Sequence, residues 1–229
     1  MNSIFVAIDT PEVERAQSIA HAVRDHAGGL KLGLEFFAAH GPPGIRKIAD
    51  IGLPIFLDLK LHDIPNTVAN AVKALAALKP AILTVHAAGG AAMLNAAKAA
   101  AGAQIKVVGV TVLTSLDADD LACIGVDSAP SDQVVRLAML ARESGIDGIV
   151  CSGAEVASVR GLWPEGFFIV PGIRPVGADI ADQKRVVTPA QAIDDGASVL
   201  VIGRPITGAA DPARAIAQIA GSLKKEVVE

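Results

Sequence analysis

The sequence predicts an α/β protein, a single-domain (β/α)8 TIM barrel over residues 1–229, and three observations point there. Eight short β-rich apolar runs alternate with helical stretches along the chain. The runs are nearly continuous in their apolar character, as strands buried on both faces are. Polar residues with useful chemistry fall at the ends of these runs, where a barrel builds its active site. An open doubly wound sheet is the alternative, but no run is followed by the Gly-x-Gly-x-x-Gly of a dinucleotide-binding turn.

Ile4–Ile8 forms the first strand and ends at Asp9. Thr10 and Pro11 are expected to open the first helix as capping hydroxyl and first-turn proline, with Glu12 and Glu14 in the first turn. Val13, Ala16, Ala20 and Val23 make its apolar stripe. Leu30–Gly33 is the second strand, and a helical region over Glu35–Ala49 is split by Gly41-Pro42-Pro43-Gly44. Leu53–Leu57 is the third strand, running into Asp58, and a helix follows over Pro65–Leu78. Ala81–His86 is the fourth, with an alanine-rich helix over Gly90–Ala101. Ile105–Val112 is the fifth, followed by a short helical turn through Asp120 and a helix over Ser131–Ser144. Gly148–Cys151 is the sixth, with a helix over Ala154–Gly161. Phe167–Val170 is the seventh; a proline- and glycine-bearing polar stretch then leads to a helix over Pro189–Asp195. Ser198–Ile202 is the eighth, Gly203-Arg204 opens a short helical turn, and a helix over Pro212–Leu223 closes the chain.

Composition narrows the function classes. Hydrophobic residues make up 52% and the mean hydropathy is +0.47, which suits a well-covered sheet. No run of about 18 uncharged apolar residues is present, so no membrane span is expected. The opening residues lack the basic region of a signal peptide. Cys123 and Cys151 have neither metal-type nor redox-type spacing. Each is expected as a small buried hydrophobe in a cytoplasmic protein. A net charge of −4 without a basic cluster, and 3% aromatics without tyrosine, argue against nucleic acid as a partner.

The strand ends carry a short, coherent set: Asp9, Lys31, Asp58 with Lys60 and then Asp63, Thr114, Arg174 with Gln183 beyond it, and Gly203-Arg204. Strand alternation puts Ile55, Leu57 and Leu59 on one face and Phe56, Asp58 and Lys60 on the other, the last two about 7 Å apart. Burying such charges is costly unless they pair. On these residues alone, a structural ion pair beside a helix cap and a catalytic set are equally good readings. His86 is expected as a structural histidine with its hydrogen bonds satisfied, and His62 as a loop residue. Gly203 and Arg204 offer backbone N–H groups and a guanidinium to an anion. Residues 172–188 are expected to form a loop that closes over a phosphate, with Arg174 and Gln183 reaching it.

The run Asp58-Leu59-Lys60-Leu61-His62-Asp63-Ile64-Pro65-Asn66-Thr67 is the most specific element. With Val110-Thr111-Val112-Leu113-Thr114-Ser115, Pro171-Gly172-Ile173-Arg174-Pro175, Asp182-Gln183 and Val201-Ile202-Gly203-Arg204-Pro205, it resembles the orotidine 5′-phosphate decarboxylase family over nearly the whole chain. No position that the family uses for chemistry departs from its pattern. The resemblance implies a homodimer that converts orotidine 5′-phosphate to uridine 5′-phosphate with no cofactor and no metal. By position, Lys60 is the proton donor to C6, Asp58 sits beside the leaving carboxylate, and Lys31 and Asp63 complete a Lys–Asp–Lys–Asp array. Asp9 and Lys31 hold the ribose and Thr114 the pyrimidine; Gln183, Arg204, Gly203 and Arg174 hold the phosphate. Asp63, Ile64 and Thr67 come from the neighbouring subunit.

Physical chemistry supports that assignment. Loss of CO2 from C6 leaves a carbanion without an electron sink, and a fixed ammonium stabilises it and then supplies the proton. Two rivals remain at this level. Magnesium-dependent sister barrels share Asp-x-Lys-x-x-Asp, but the decarboxylase among them has an acid where this chain has Lys31. A phosphate-binding barrel without activity would keep a costly charged array unused.

Overall fold

Period-two alternation along parallel strands sets the architecture. The computed structural model describes residues 3–175 and 187–225. In it β1 (Ile4–Ile8), β2 (Gly29–Gly33), β3 (Ile55–Leu61), β4 (Ile82–His86), β5 (Lys106–Val110), β6 (Gly148–Val150), β7 (Phe167–Val170) and β8 (Val199–Ile202) close in sequence order into a parallel barrel. The seam pairs β1 with β8, Phe5 lying opposite Val201. The chain returns between strands through α1 (Val13–Val23), α2 (Leu34–Ala49), α3 (Pro65–Ala76), α4 (Gly90–Ala101), α5 (Ala118–Cys123), α6 (Pro130–Glu143), α7 (Val156–Leu162) and α8 (Pro189–Asp194). After β8 come α9 (Arg204–Thr207) and α10 (Pro212–Lys225). No helix among the described residues is long and apolar enough to cross a membrane.

Alternation divides the apolar side chains into two cores. Ile4, Val6 and Ile8 pack outward with the helices, as do Ile55, Leu57 and Leu59. Phe5, Ala7, Phe56, Ile82, Val108, Ile169, Val199 and Val201 fill the barrel interior. Two phenylalanines form much of that floor, meeting edge to face with ring centroids 6.5 Å apart. Gly29 makes room for them: a Cβ there would lie 2.2 Å from Phe5 Cε1.

Several limits differ from the sequence expectation. The first helix begins at Val13, with Glu12 as its N-cap. Thr10 does not cap it; its Oγ1 accepts the Glu12 N–H at 3.3 Å and closes a local turn ahead of the helix. The helical region at 34–49 kinks at Gly41, with φ 54° and ψ −155°, as the glycine–proline run foretold. The fifth strand stops at Val110, and Thr111 donates its hydroxyl to the Val150 carbonyl at 2.8 Å as the chain leaves the ladder. Cys151 is buried but Cys123 is exposed. The expectation for Cys123 fails because α5 is a six-residue helix that buries Leu121 instead.

The third strand departs most. It extends to Leu61, and its register with β4 slips: Leu57 pairs with Leu83, but the next pair is Leu61 with Val85. Four steps on β3 therefore face two on β4. Lys60 sits inside this bulge with φ 49°, a conformation that costs a non-glycine residue about 1–2 kcal/mol.

The close approach of β6 to β7 at Gly148 tests this packing. A Cβ on Gly148 would lie 1.8 Å from the Phe167 carbonyl oxygen. Gly148→Ala is expected to lower the unfolding free energy by about 3 kcal/mol or to prevent folding, as read by urea denaturation. A loss under about 1 kcal/mol would mean that β7 moves aside freely.

Candidate active site

The strand C-termini surround a cavity of about 250 Å³. Its walls differ in kind. Asp9, Lys31, Asp58 and Lys60 line one side; Val110, Val112, Val150 and Ile169 line another; Thr114, Arg174, Gly203 and Arg204 also border it. Along the strands themselves, alternation turns the charged residues into this space and their neighbours toward the helices. Lys31 shows this: Leu30 and Leu32 belong to the outer core, and Lys31 is only 9% exposed.

The charges form a chain. Lys31 Nζ lies 3.1 Å from Asp9 Oδ1 and 3.6 Å from Asp58 Oδ2. Lys60 Nζ lies 2.8 Å from the same Asp58 oxygen. Asp58 Oδ1 accepts the Thr84 hydroxyl at 3.0 Å. Gly33 leaves space for the first pair, since a Cβ there would stand 3.2 Å from Lys31 Nζ. Burial favours protonation of Asp58, but the Lys31 and Lys60 ammonium groups, with hydrogen bonds from Lys60 and Thr84, outweigh it. Its carboxyl is held below the ordinary 3.8, and the group is ionised at neutral pH.

Asp63, Ile64 and Thr67 do not line the cavity of a single chain. Asp63 is exposed and its Oδ1 accepts the Ile64 N–H at 2.6 Å. Ile64 is 67% exposed and Thr67 is exposed one turn into α3. Within one chain, the alternating series is therefore Asp9–Lys31–Asp58–Lys60. Arg174 is buried, and its Nη1 donates to the Ile173 carbonyl at 2.9 Å. Ile173 bridges to Val187, and the Arg174 N–H bonds the Val187 carbonyl at 3.0 Å, which ties together the two ends of the expected closing loop. Residues 176–186 of that loop, Gln183 among them, lie outside the described residues.

His86 corrects another expectation. Its Nδ1 is buried without a hydrogen-bond partner among the described residues. Its ring stacks on His62, 5.3 Å away. Burial, then the nearby His62 and Lys60, pushes its proton affinity down. The sequence reading missed Thr84 and Cys151. Cys151 lines the cavity, and Thr84 joins the charged chain. Thr84 had a parity signal, two residues before the strand-end His86, whereas Cys151 lies just past the end of β6, next to the lining Val150.

Known proteins resemble this chain closely. The model of the "Orotidine 5′-phosphate decarboxylase / HUMPS family" matches residues 2–219. An orotidine 5′-phosphate decarboxylase of Sphingopyxis alaskensis is 64% identical, with 96% of this chain and 98% of that protein covered. One from Erythrobacter litoralis is 60% identical, with 97% and 99% covered. A crystal structure of the Lactobacillus acidophilus orotidine 5′-phosphate decarboxylase superposes with a TM-score of 0.87 at 37% identity, covering 97% of this chain and 99% of that one.

The state of Asp58 has a thermodynamic signature. A carboxyl depressed below 3.8 adds stability that is present above 3.8 and is lost as pH falls through the lower folded value. Asp58→Asn removes the carboxylate that faces Lys60 and leaves Lys31 with Asp9 alone, so it is expected to be less stable than the wild type by about 2 kcal/mol near pH 6. Urea denaturation repeated toward about pH 3 should show that gap narrowing. A gap that stays constant would mean that Asp58 is not the ionised group.

Proposed function

The chain belongs to the orotidine 5′-phosphate decarboxylase / HUMPS family, and on that premise we propose that it is a carboxy-lyase converting orotidine 5′-phosphate to uridine 5′-phosphate and CO2 in pyrimidine biosynthesis. The observation that carries this reading is the Asp9–Lys31–Asp58–Lys60 chain at the mouth of a cavity also bordered by Arg174 and Arg204. An anionic nucleotide meets cations there although the protein as a whole carries −4.

The roles are those that the family resemblance implies by position, and the chemistry supports them. The pyrimidine lies against the apolar wall with Thr114 beside it, and C6 points at Lys60. The C6–carboxylate bond breaks, CO2 leaves, and the electron pair stays on C6. The Lys60 ammonium, already fixed against Asp58, stabilises that pair and donates its proton to C6. Asp58 faces the departing carboxylate as a like charge. Asp9 and Lys31 hold the ribose hydroxyls. Arg174, Arg204, the Gly203 backbone and Gln183 hold the phosphate, and residues 172–188 close over it. Binding energy from that remote group is then available to align the reacting centre.

Lys31 favours this reading over a magnesium-dependent sister enzyme of the same barrel type. Its ammonium stands between the Asp9 and Asp58 carboxylates, where it neutralises both without a metal ion. The exposed Asp63, Ile64 and Thr67 support a homodimer in which each copy delivers these residues to its neighbour's cavity.

Three outcomes test the proposal. An ultraviolet assay in excess chelator should show orotidine 5′-phosphate consumed by the wild type. Lys60→Ala should keep the fold and lose turnover by many orders of magnitude, because both charge stabilisation and the proton are removed. Near-native activity in that variant would overturn the donor role, and activity that requires added magnesium would favour the sister enzyme. Mixing inactive Lys60→Ala and Asp63→Ala chains should restore part of the activity, since a mixed dimer holds one complete site. No recovery after demonstrated subunit exchange would exclude a shared site.

A further inference from the structure

Thr84 stands in the middle of β4 with no solvent exposure. Its neighbours Leu83 and Val85 pack in the outer core, so parity turns Thr84 into the barrel. Its β-branched shape suits a strand, but valine would serve that purpose equally. The hydroxyl is what needs a reason, because a buried hydroxyl is costly unless it is bonded. Both of its bonds end on the same two charged residues. Thr84 Oγ1 donates to Asp58 Oδ1 at 3.0 Å and accepts the Lys60 backbone N–H at 2.8 Å.

The location explains the arrangement. The ladder between β3 and β4 slips at residues 58–60, and Lys60 is held there with φ 49°. The Thr84 hydroxyl enters that gap and takes up the displaced Lys60 N–H. A hydroxyl has one proton, and an ionised carboxylate can only accept it, so both bonds have a fixed direction. Asp58 is thereby tied at one oxygen to Thr84 and at the other to Lys60 Nζ, 2.8 Å away.

We propose that Thr84 is a positioning residue of this active site, whose hydroxyl locks the bulged backbone of Lys60 to the Asp58 carboxylate and so aims the ammonium into the cavity. The proposal rests on the decarboxylase reading for its kinetic consequence, and on hydrogen-bond geometry alone for its effect on Asp58.

Thr84→Val keeps the shape and deletes the hydroxyl; Thr84→Ser keeps the hydroxyl. Thr84→Val is expected to lower kcat for orotidine 5′-phosphate about 10- to 100-fold with KM changed less than about threefold. Its Asp58 loses a donor to the charged form. The Asp58 midpoint, read by carbon-13 NMR of labelled aspartate and assigned with Asp58→Asn, should move to higher pH, as should the acid limb of kcat/KM. Thr84→Ser should recover kcat to within about threefold and return the midpoint toward its wild-type position. Where Thr84→Val does not fold, Thr84→Cys, with a much weaker donor, takes its place against Thr84→Ser. A folded variant without the hydroxyl that keeps kcat within about twofold and leaves the Asp58 midpoint unmoved overturns the proposal, as does a serine variant no better than valine. Absence of turnover in the wild type defeats the decarboxylase reading alone, because the aspartate titration reads the Thr84 contact without catalysis.

Discussion

The Asp58 carboxylate is the charge on which the rest of the site depends. It is partly buried, and it stays ionised only because two ammonium groups and a hydroxyl face it. Each of those partners is placed by a different strand: Lys31 by β2, Lys60 by β3 and Thr84 by β4. The constellation therefore exists only when these three strands are paired, and it carries the strain of the Lys60 bulge as a local cost. Removing any one partner would weaken the hold on Asp58 that the others share, which makes the cluster interdependent rather than additive.

Dry packing beneath the cluster gives those charges their effect. Phe5, Phe56, Val108, Ile169 and Val201 fill the interior below the mouth with apolar side chains. A charge held over such a floor interacts more strongly with a reacting group than it would in water. Valines and Ile169 continue that apolar surface along another wall of the cavity, against which a flat ring can lie. The arrangement combines an unyielding set of charges with a surface that excludes water, the two conditions under which fixed charges assist a reaction most.

Most of the fold was legible in the sequence. Seven strands and most helices lie within a few residues of where apolar runs, caps and breakers put them, and β7 and α4 agree at both ends. These features are local: a proline at a helix start or a glycine beyond its end acts within one turn of chain. The misses have the same cause. Thr10 looks like a helix cap but bonds within a turn; Cys123 looks like a core residue but falls on the exposed side of a short helix. In each, the local pattern allows two placements: Thr10 bonds Glu12 two residues on, and the six-residue α5 buries Leu121 rather than Cys123.

The same division runs through the site. The sequence alone determined which residues could carry charge chemistry at a strand end, and the Asp58-x-Lys60-x-x-Asp63 spacing with Lys31 was enough to suggest a cluster. Tertiary structure alone decided its connectivity. Asp9, 22 residues from Lys31, pairs with it, while Asp63, three residues from Lys60, is exposed and does not line the cavity of its own chain. The apolar run predicts a third strand that ends at Leu57 as it meets Asp58; the strand instead continues to Leu61 and bulges at Lys60, because β4 contributes fewer residues and offers a threonine hydroxyl in the gap. Register between two strands is a property of the pair, not of either sequence, and that is why the bulge and its threonine appear only in the folded barrel.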